Sequence, residues 1–368
     1  MDKFITVSMG KYTNIKTGKL DANACSDDGQ YPFFTCAKEP LKISSYSYDC
    51  ECVLVAGNGD LNVKYYQGKF DAYQRTYIIE SCDKEKLNTR YMFYFLENYI
   101  EKLREQSIGG VIKYIKLNNL TEVLIPLPPL KTQCEIVDIL DRANILIEKR
   151  KVQIDKLDLL MKSQFTQMFG DPVTNPMEWE VDKLFKLGDV NRGVSKHRPR
   201  NDPKLLGGKY PLIQTGDVAN SGLYITKFTN TYSELGLAQS KIWEKGTLCI
   251  TIAANIAKTS ILDFDACFPD SVVGFLPYKN TNTIFMYFWF LFFQKILELQ
   301  APESAQKNIN LKILYELEVI CPPIILQNKF ANFVHQVERQ KQILQDSLEK
   351  LERNYQSLIQ KCFRGEIF

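Results

Sequence analysis

The sequence predicts an α+β chain in which two globular parts are separated by a long antiparallel coiled coil of two helices, related by a pseudo-two-fold internal repeat. Three observations predict this fold. The second half of the chain repeats the first, and each copy opens with short β-type runs. Each copy also ends in a long stretch without Gly or Pro, whose apolar residues follow a heptad.

The internal repeat becomes visible when the chain is aligned with itself. Residues of the two halves match in order and at one constant separation: Phe70-Asp71-Ala72 with Phe264-Asp265-Ala266, Leu120 with Leu314, Pro128-Pro129 with Pro322-Pro323, and Gln133 with Gln327. The second copy carries a longer segment between Pro211 and Gly246. Matches of this kind indicate a tandem duplication, so both copies are expected to share one architecture.

The globular parts are predicted over residues 1–122 and 171–317. Gly57–Asp60 is typical of a turn, and a helix is predicted over Asn88–Leu103. Short runs rich in β-branched and apolar residues predict strands at Cys52–Ala56, Tyr77–Ile79, Thr247–Ile252 and Ser271–Phe275.

Residues 123–170 and 318–368 are predicted to be spacer helices. Double prolines introduce both, because proline disfavours helix at the residue before it. The expected coiled-coil seam consists of Ile136, Leu140, Ile147, Ile154, Leu157, Met161, Phe330, Val337, Leu344, Leu348, Leu351 and Tyr355. The stretch without Gly or Pro in the first helix, Lys131–Phe169, would form a rod about 58 Å long. The alternative is a pair of amphipathic helices that pack on their own globular parts and bury a wider stripe.

Composition excludes disordered, collagen-like and low-complexity chains. Apolar residues make up 45% and charged residues 24% of the chain, which is typical of a globular protein. Ten scattered cysteines without a Cys-x-x-Cys pair, and no amino-terminal signal peptide, predict reduced thiols in the cytoplasm. The apolar run Ile284–Phe293 would rise only about 15 Å as a helix, so it predicts a buried helix rather than a membrane span.

Motifs for catalysis are not found in the sequence. It has no Gly-Lys-Ser/Thr phosphate loop, no Gly-x-Ser-x-Gly and no methyltransferase Asn/Asp-Pro-Pro-aromatic motif, and Pro269-Asp270 lacks the second acid and lysine of a nuclease site. Two histidines leave little room for a metal site or a His-based triad. We therefore predict a non-catalytic chain without a metal or cofactor of its own.

The net charge of +3 gives no argument for a nucleic-acid partner, but clusters of basic residues along the chain favour one. In the first part, lysines and Arg75 are interleaved with tyrosines. In the second part, a basic cluster between Arg192 and Lys209 is opposed only by Asp202, and Gln and Asn residues follow it. Arginine forks suit phosphates and guanine edges, and polar side chains can read bases. The alternative is solvated loop charge. The candidate DNA-binding residues are Lys19, Lys38, Lys42, Asn58, Lys64, Tyr65, Tyr66, Arg75, Arg192, Lys196, Arg198, Arg200, Gln214, Thr215, Asn255, Lys258 and Lys307.

Several phrases of the sequence are typical of one family. They are Ile125-Pro-Leu-Pro-Pro-Leu-Lys-Thr-Gln133, its looser copy Val319–Gln327, Met168-Phe-Gly-Asp-Pro172, Gln306-Lys-Asn-Ile-Asn310 and the end Cys362–Ile367. With the repeat and the helices, they make the chain resemble, over essentially its whole length, the DNA-specificity (S) subunit of type I restriction-modification systems. Copy one departs from the pattern, since Ile112-Lys-Tyr-Ile-Lys116 stands where copy two has Gln306–Asn310; this indicates different recognition loops.

The resemblance implies a function and a set of partners. The globular parts would be target-recognition domains, each reading one half of a bipartite site on double-stranded DNA. Two modification subunits would clasp the coiled coil and methylate adenine with S-adenosylmethionine, and restriction subunits would translocate and cut with ATP and Mg. Two alternatives remain: a coiled-coil scaffold for protein assembly, and the specificity subunit of a related fused restriction-methylation enzyme.

Overall fold

Two long helices, Leu130–Phe169 and Ile324–Arg364, dominate the computed structural model, which describes residues 4–253, 257–293, 295–296 and 309–368. The chain divides into two units, one formed by Met1–Val152 with Leu344–Phe368 and the other by Gln153–Ile343. Each unit therefore holds one globular part together with a portion of each long helix.

The first unit contains a six-stranded sheet, a two-stranded sheet and short helices. Its strands are β1 (Thr6–Ser8), β2 (Thr13–Thr17), β3 (Tyr31–Phe34), β4 (Leu41–Ile43), β5 (Tyr48–Ala56), β6 (Val63–Ala72), β7 (Thr76–Ser81) and β8 (Leu124–Pro126). Its helices outside the two long ones are Thr89–Gln106 and Asn118–Thr121, with 3-10 turns at Met9–Lys11 and Ala22–Ala24.

The six-stranded sheet of the first unit has the order β2-β7-β5-β6-β3-β4. The hairpin β5–β6 runs from the pair Tyr48–Phe70 to the pair Val55–Val63, and β3 lies parallel to β6. An isolated bridge between Leu20 and Tyr73 places the segment after β2 beside the end of β6. The loops after β2 and β6 therefore lie next to each other.

The described residues of the second unit form three sheets. Its strands are β9 (Val181–Lys183), β10 (Gly188–Arg192), β11 (Leu206–Leu212), β12 (Tyr224–Ile225), β13 (Asn230–Tyr232), β14 (Ile242–Trp243), β15 (Leu248–Thr251), β16 (Thr259–Leu262), β17 (Ala266–Cys267), β18 (Val272–Pro277) and β19 (Glu318–Ile320). Its shorter helices are Leu184–Leu187, Thr215–Asn220, Glu234–Ala238, Thr283–Phe290 and Leu311–Glu316, with a 3-10 turn at Pro203–Leu205.

A five-stranded sheet of order β10-β18-β15-β16-β12 and a four-stranded sheet of order β13-β11-β17-β14 form the body of the second unit. The rings of Trp243 and Phe268 stack with centroids 4.7 Å apart. A Cβ atom at Gly274 would stand 2.6 Å from the Trp243 ring, so this strand position requires glycine. The apolar helix Thr283–Phe290 is buried, as its sequence predicts.

The two long helices are antiparallel, as predicted. They begin later than the predicted starts at residues 123 and 318, because Leu124–Pro126 pairs with β1 and Glu318–Ile320 pairs with β9 as strands. In the first unit Ile136 and Leu140 of the first helix share a core with Ile359 and Phe363 of the second. In the second unit the order is reversed. Met161, Phe165 and Phe169 share a core with Phe330, Val334 and Val337, and the rings of Phe165 and Phe330 are 5.5 Å apart.

None of the twelve predicted seam residues is exposed to solvent. Seven are buried, namely Ile136, Leu140, Ile147, Ile154, Met161, Phe330 and Val337. Five are half-buried, namely Leu157, Leu344, Leu348, Leu351 and Tyr355. Near the carboxyl end the buried stripe widens to Ile359, Cys362 and Phe363, because the helix there also packs on the globular part.

A buried glutamine ties the start of each long helix to its globular part. Gln133, with 0% of its surface exposed, accepts a hydrogen bond from the backbone N–H of Asn88 (2.9 Å). Its amide donates to the carbonyl oxygens of Lys86 (2.7 Å) and Pro128 (2.9 Å). Asn88 in turn caps the helix Thr89–Gln106 through its side chain. One side chain thus joins the proline phrase, the long helix and the helix of the globular part.

The second copy repeats this arrangement. Gln327 is 2% exposed, accepts from the N–H of Asn282 (2.9 Å), and donates to the carbonyl oxygens of Asn280 (3.4 Å) and Pro322 (2.8 Å). Asn282 caps the helix Thr283–Phe290. The duplicated glutamine of the proline phrase therefore has one structural role in both copies.

Replacing Gln133 by leucine should lower the free energy of unfolding of the first unit by about 2–4 kcal/mol. Three hydrogen bonds of a buried side chain are lost, and the Asn88 N–H and two carbonyl groups lose the partner that Gln133 provides. Thermal unfolding followed by calorimetry measures the change. Gln356→Leu, at an exposed position of the second long helix, is the control. Equal effects of the two substitutions would contradict this role of Gln133.

The helix pair contains a polar cluster in the second unit. The Lys341 ammonium group donates to the Asp158 carboxylate (2.5 Å) and lies 4.0 Å from Glu338. The Lys341 side chain is only 14% exposed. Burial, with the Asp158 charge added, raises the pKa of Glu338 above its ordinary value, although Lys341 opposes this.

Glu338→Gln should stabilise the second unit more at pH 8 than at pH 5. A carboxyl group whose folded pKa is raised contributes stability that is present below its unfolded pKa and is lost as pH rises through the folded pKa. The amide removes that loss, so the gain at pH 8 should stay below about 1 kcal/mol. Thermal unfolding at the two pH values measures it, with the exposed Glu349→Gln as control. An equal gain at both pH values would refute the explanation.

Candidate nucleic-acid interfaces

Loops of the first unit converge on the backbone of Arg75. Its carbonyl oxygen accepts hydrogen bonds from the Gly57 N–H (2.7 Å) and the Cys36 thiol (3.6 Å). The side-chain amide of Asn62 donates to the Cys36 carbonyl oxygen (2.8 Å), and the Gly18 N–H donates to that of Thr76 (3.0 Å). These bonds bring together the loops and strand end that carry five predicted residues, namely Lys19, Lys38, Asn58, Lys64 and Arg75.

A cavity of about 260 Å³ lies beside these loops. Lys38, Lys64 and Arg104 line it, together with Glu97 and an apolar wall that includes Ile100. Burial lowers the pKa of Lys64, whose ammonium group also donates to the Asn62 side chain. Arg104 donates to the Leu61 carbonyl oxygen (2.7 Å) and to Asp60 (2.9 Å). Three basic side chains therefore lie at this cavity, and Asp60 and Glu97 offset part of their charge.

Three predicted residues of the first unit lie apart from this cluster. The Tyr65 hydroxyl donates to Glu51 (2.9 Å), and the Arg90 guanidinium carbon is 4.8 Å from its ring centroid. Burial, and then the Glu51 carboxylate, raise the pKa of Tyr65 to about 12. The Tyr66 ring packs against Phe34 (5.0 Å between centroids), and Lys42 is exposed on β4. Both tyrosines thus have packing contacts within the unit.

In the second unit, an aspartate from a distant part of the sequence holds two predicted arginines. Arg198 donates to Asp270 (3.3 Å), and Arg200 also donates to that carboxylate. Arg198 further donates to the Ser195 carbonyl oxygen (2.6 Å). The expectation that Asp202 alone opposes this basic segment is wrong. Asp270 could not be predicted as a partner because it is far from Arg198 in the sequence. The same holds for Glu234, which forms an ion pair with Lys209 at 3.1 Å.

The backbone of the basic segment is also fixed. The N–H groups of Lys196 (2.7 Å) and His197 (3.0 Å) donate to the side chain of Gln239. The His197 ring nitrogen lies 3.2 Å from Asp202, whose pKa is lowered mainly by the Lys204 N–H and also by His197. Gln239 carried no signal in the sequence, because its contact is with backbone far from it in the chain.

The other predicted DNA-binding residues of the second unit that the structure describes lie at one end of its sheets. Arg192 ends β10 opposite Val273, and the Lys258 N–H donates to the Thr251 hydroxyl (3.0 Å) beside the start of β18. Gln214 and Thr215 follow β11, whose parallel neighbour β17 leads to Asp270. Asn255 and Lys307 lie outside the described residues.

Within the ranges that the structure describes, no group of three or more His, Cys, Asp and Glu side chains is placed to hold a metal ion. No described helix is both long enough and apolar enough to cross a membrane.

Comparison with protein families gives a direct assignment. The model of the type I restriction modification DNA specificity domain matches residues 2–156 and again 176–353, so each copy of the repeat matches it. The chain belongs to this family. The specificity family therefore accounts for the duplication found in the sequence.

Relatives within the specificity family match almost the whole chain. The type I restriction enzyme EcoDI specificity subunit of Escherichia coli is 28% identical over 98% of this chain and 88% of its own length. The EcoBI specificity subunit of Escherichia coli is 22% identical over 86% of this chain and 74% of its own length.

Solved structures share the fold of this specificity-family chain. The S subunit of a type I restriction-modification system from M. genitalium covers 98% of this chain and 96% of its own, with a TM-score of 0.56 and 15% identity. A chain from a structure that describes complex assembly and conformational transition of the type I R-M system covers 99% and 98%, with a TM-score of 0.60 and 17% identity.

Proposed function

We propose that this chain is the sequence-specific DNA-recognition subunit of a type I restriction-modification complex, in which each globular part reads one half of a bipartite site. The observation that carries the proposal is that each copy of the repeat matches the DNA specificity domain and gathers basic and polar loops at one end of a sheet.

Positioned arginines suit this role better than a diffuse positive surface. A guanidinium group presents five donors in a rigid fork, so Arg198 and Arg200 can each bond Asp270 and still offer donors to a phosphate or a guanine edge. The pairing with Asp270 holds both side chains in one orientation, which reduces the conformational entropy lost on binding. Phosphate contacts would set the position on DNA, and residues such as Gln214 would read bases.

The antiparallel helices would set the distance between the two half-sites. Successive major grooves on one face of DNA are about 34 Å apart, so a helical rod of fixed length selects the number of unread base pairs between the half-sites. Support for this comes from the shared cores of the two helices, since closely packed helices resist bending and slipping.

The same helices would bind two modification subunits. On the first long helix, Ile145 (51% exposed), Leu146 and Val152 in the first unit, and Leu159 and Leu160 in the second, are large apolar side chains on the solvent side. Apolar side chains grouped in this way are typical of protein interfaces. Adenine methylation with S-adenosylmethionine, and translocation and cutting with ATP and Mg, would belong to the partner subunits. This chain would contribute no catalytic residue and bind no cofactor.

To test whether each globular part reads its own half-site, residues 171–317 are exchanged for the matching segment of a family member with another specificity. We expect the methylated site to change in one half and to keep the other half and the spacer, because each globular part reads on its own. Methylation mapping of the host genome measures this. An unchanged site would contradict the proposal, and so would loss of both half-sites with the complex still assembled.

Arg198→Ala with Arg200→Ala should weaken binding of the assembled methyltransferase to its DNA site. If both side chains contact phosphates, the slope of log affinity against log salt should decrease by about 2, because each phosphate contact contributes about 0.9. Titration of a labelled duplex at several salt concentrations measures the slope. Arg353→Ala, exposed on the second long helix, is the control. An unchanged affinity and slope would exclude the two arginines from the interface.

A further inference from the structure

An apolar hairpin tip projects from the loop cluster of the first unit. Val111 is 103% exposed and Ile112 is 62% exposed, an unusual position for two β-branched aliphatic side chains. The backbones of Ile108 and Tyr114 pair through two hydrogen bonds of 3.0 and 2.9 Å and close the tip. Gly109 has φ +117°, and a Cβ there would lie 2.5 Å from the Ile112 carbonyl oxygen, so this glycine allows the tight turn.

The tip is fastened to the predicted DNA-binding loops. The Gly59 N–H donates to the Lys113 carbonyl oxygen (2.9 Å), and the Ile115 N–H donates to that of Gly57 (2.9 Å). An isolated bridge joins Asn58 to Tyr114. Because Gly57 also bonds Arg75, the tip and the basic loops form one surface.

The chemistry around the tip selects its partner. Lys113, next to Ile112, and Lys116, two residues beyond Tyr114, are both exposed, and Arg75 is exposed on the adjoining loop. A partner that covers this surface must therefore offer negative charge close to apolar groups. The major groove of DNA does this, with phosphates on both sides and thymine methyl groups on its floor, and its width admits a two-stranded β-ribbon.

We propose that Val111 and Ile112 are specificity-determining residues, which contact thymine C5-methyl groups in the major groove of the first half-site. This inference rests on the proposed function. Apolar side chains contact thymine methyl groups from the major groove, whereas the apolar wedges that open base steps belong to proteins that bind the minor groove. The aligned positions of the second copy are Ala305 and Gln306 in the sequence, so the second half-site would be read differently there.

The test replaces each thymine of the first half-site, one at a time, by uracil, which lacks only the methyl group. The complete chain with its modification subunits is titrated against each duplex. We expect one or two replacements to weaken binding roughly fourfold each, the value of one buried methyl-sized group. The variant Val111→Ser with Ile112→Asn should bind the normal duplex more weakly and lose this sensitivity to uracil.

Ile5→Ser, at a position 79% exposed on the same unit, is the matched control and should keep the uracil response. Uracil replacement without effect at every position, in a complex that still binds its site specifically, would overturn this inference alone. Absence of site-specific binding by the unaltered complex would instead overturn the proposed function.

Two further results would also overturn the inference. A rise in 2-aminopurine fluorescence on binding that depends on Val111 and Ile112 would show that the tip opens a base step. Loss of modification-subunit binding in the double variant, with normal DNA sensitivity where the complex still forms, would show that the tip contacts protein.

Discussion

The arrangement of each unit depends on the hydrogen bonds of one buried glutamine, Gln133 in the first unit and Gln327 in the second. A long helix can begin at many angles to the domain before it. Here three hydrogen bonds from one fully buried amide connect the first turn of the helix, the proline phrase and the capped start of a second helix. An amide group can accept and donate at once, and burial makes each unsatisfied partner expensive, so the entry angle has one favourable solution.

The antiparallel helices make each unit depend on both copies of the repeat. Ile359 and Phe363, from the end of the second copy, complete the core that surrounds Tyr91 and Ile136 of the first. In the second unit Met161 and Phe165, from the end of the first copy, complete the core around Phe330. Neither copy alone could cover its own apolar surface, because the helix that covers it is supplied by the other copy.

The sequence allowed good prediction where the signal is local or periodic. The long helices begin at Leu130 and Ile324, directly after the double prolines, because proline restricts the residue before it and suits the first turn of a helix. The turn at Gly57–Asp60 and the helix capped by Asn88 also follow from local chemistry. The family phrases in turn anticipated the family that the comparison assigns.

Contacts between distant residues could not be predicted in this way. Nothing near Arg198 in the sequence indicates that Asp270 binds it, because β17 and the turn after it bring that carboxylate to the basic segment. Tyr65 is one of several tyrosines among lysines, yet its contacts with Glu51 and Arg90 direct it towards packing inside the unit. The exposure of Val111 and Ile112 could not be predicted either, because an apolar pair in a sequence normally indicates burial.

The near-neutral charge of the chain is itself compatible with reading DNA. Attraction to phosphates acts on every sequence alike, so a strongly positive surface would increase binding to the many wrong sites as much as to the right one. Asp270 beside Arg198 and Arg200, and Asp60 beside Arg104, offset part of that attraction at long range. At short range the same acids orient the guanidinium groups for directed hydrogen bonds. In the proposed function, pairing these arginines with acids would lower the affinity for DNA of any sequence and keep the part of the interaction that depends on geometry.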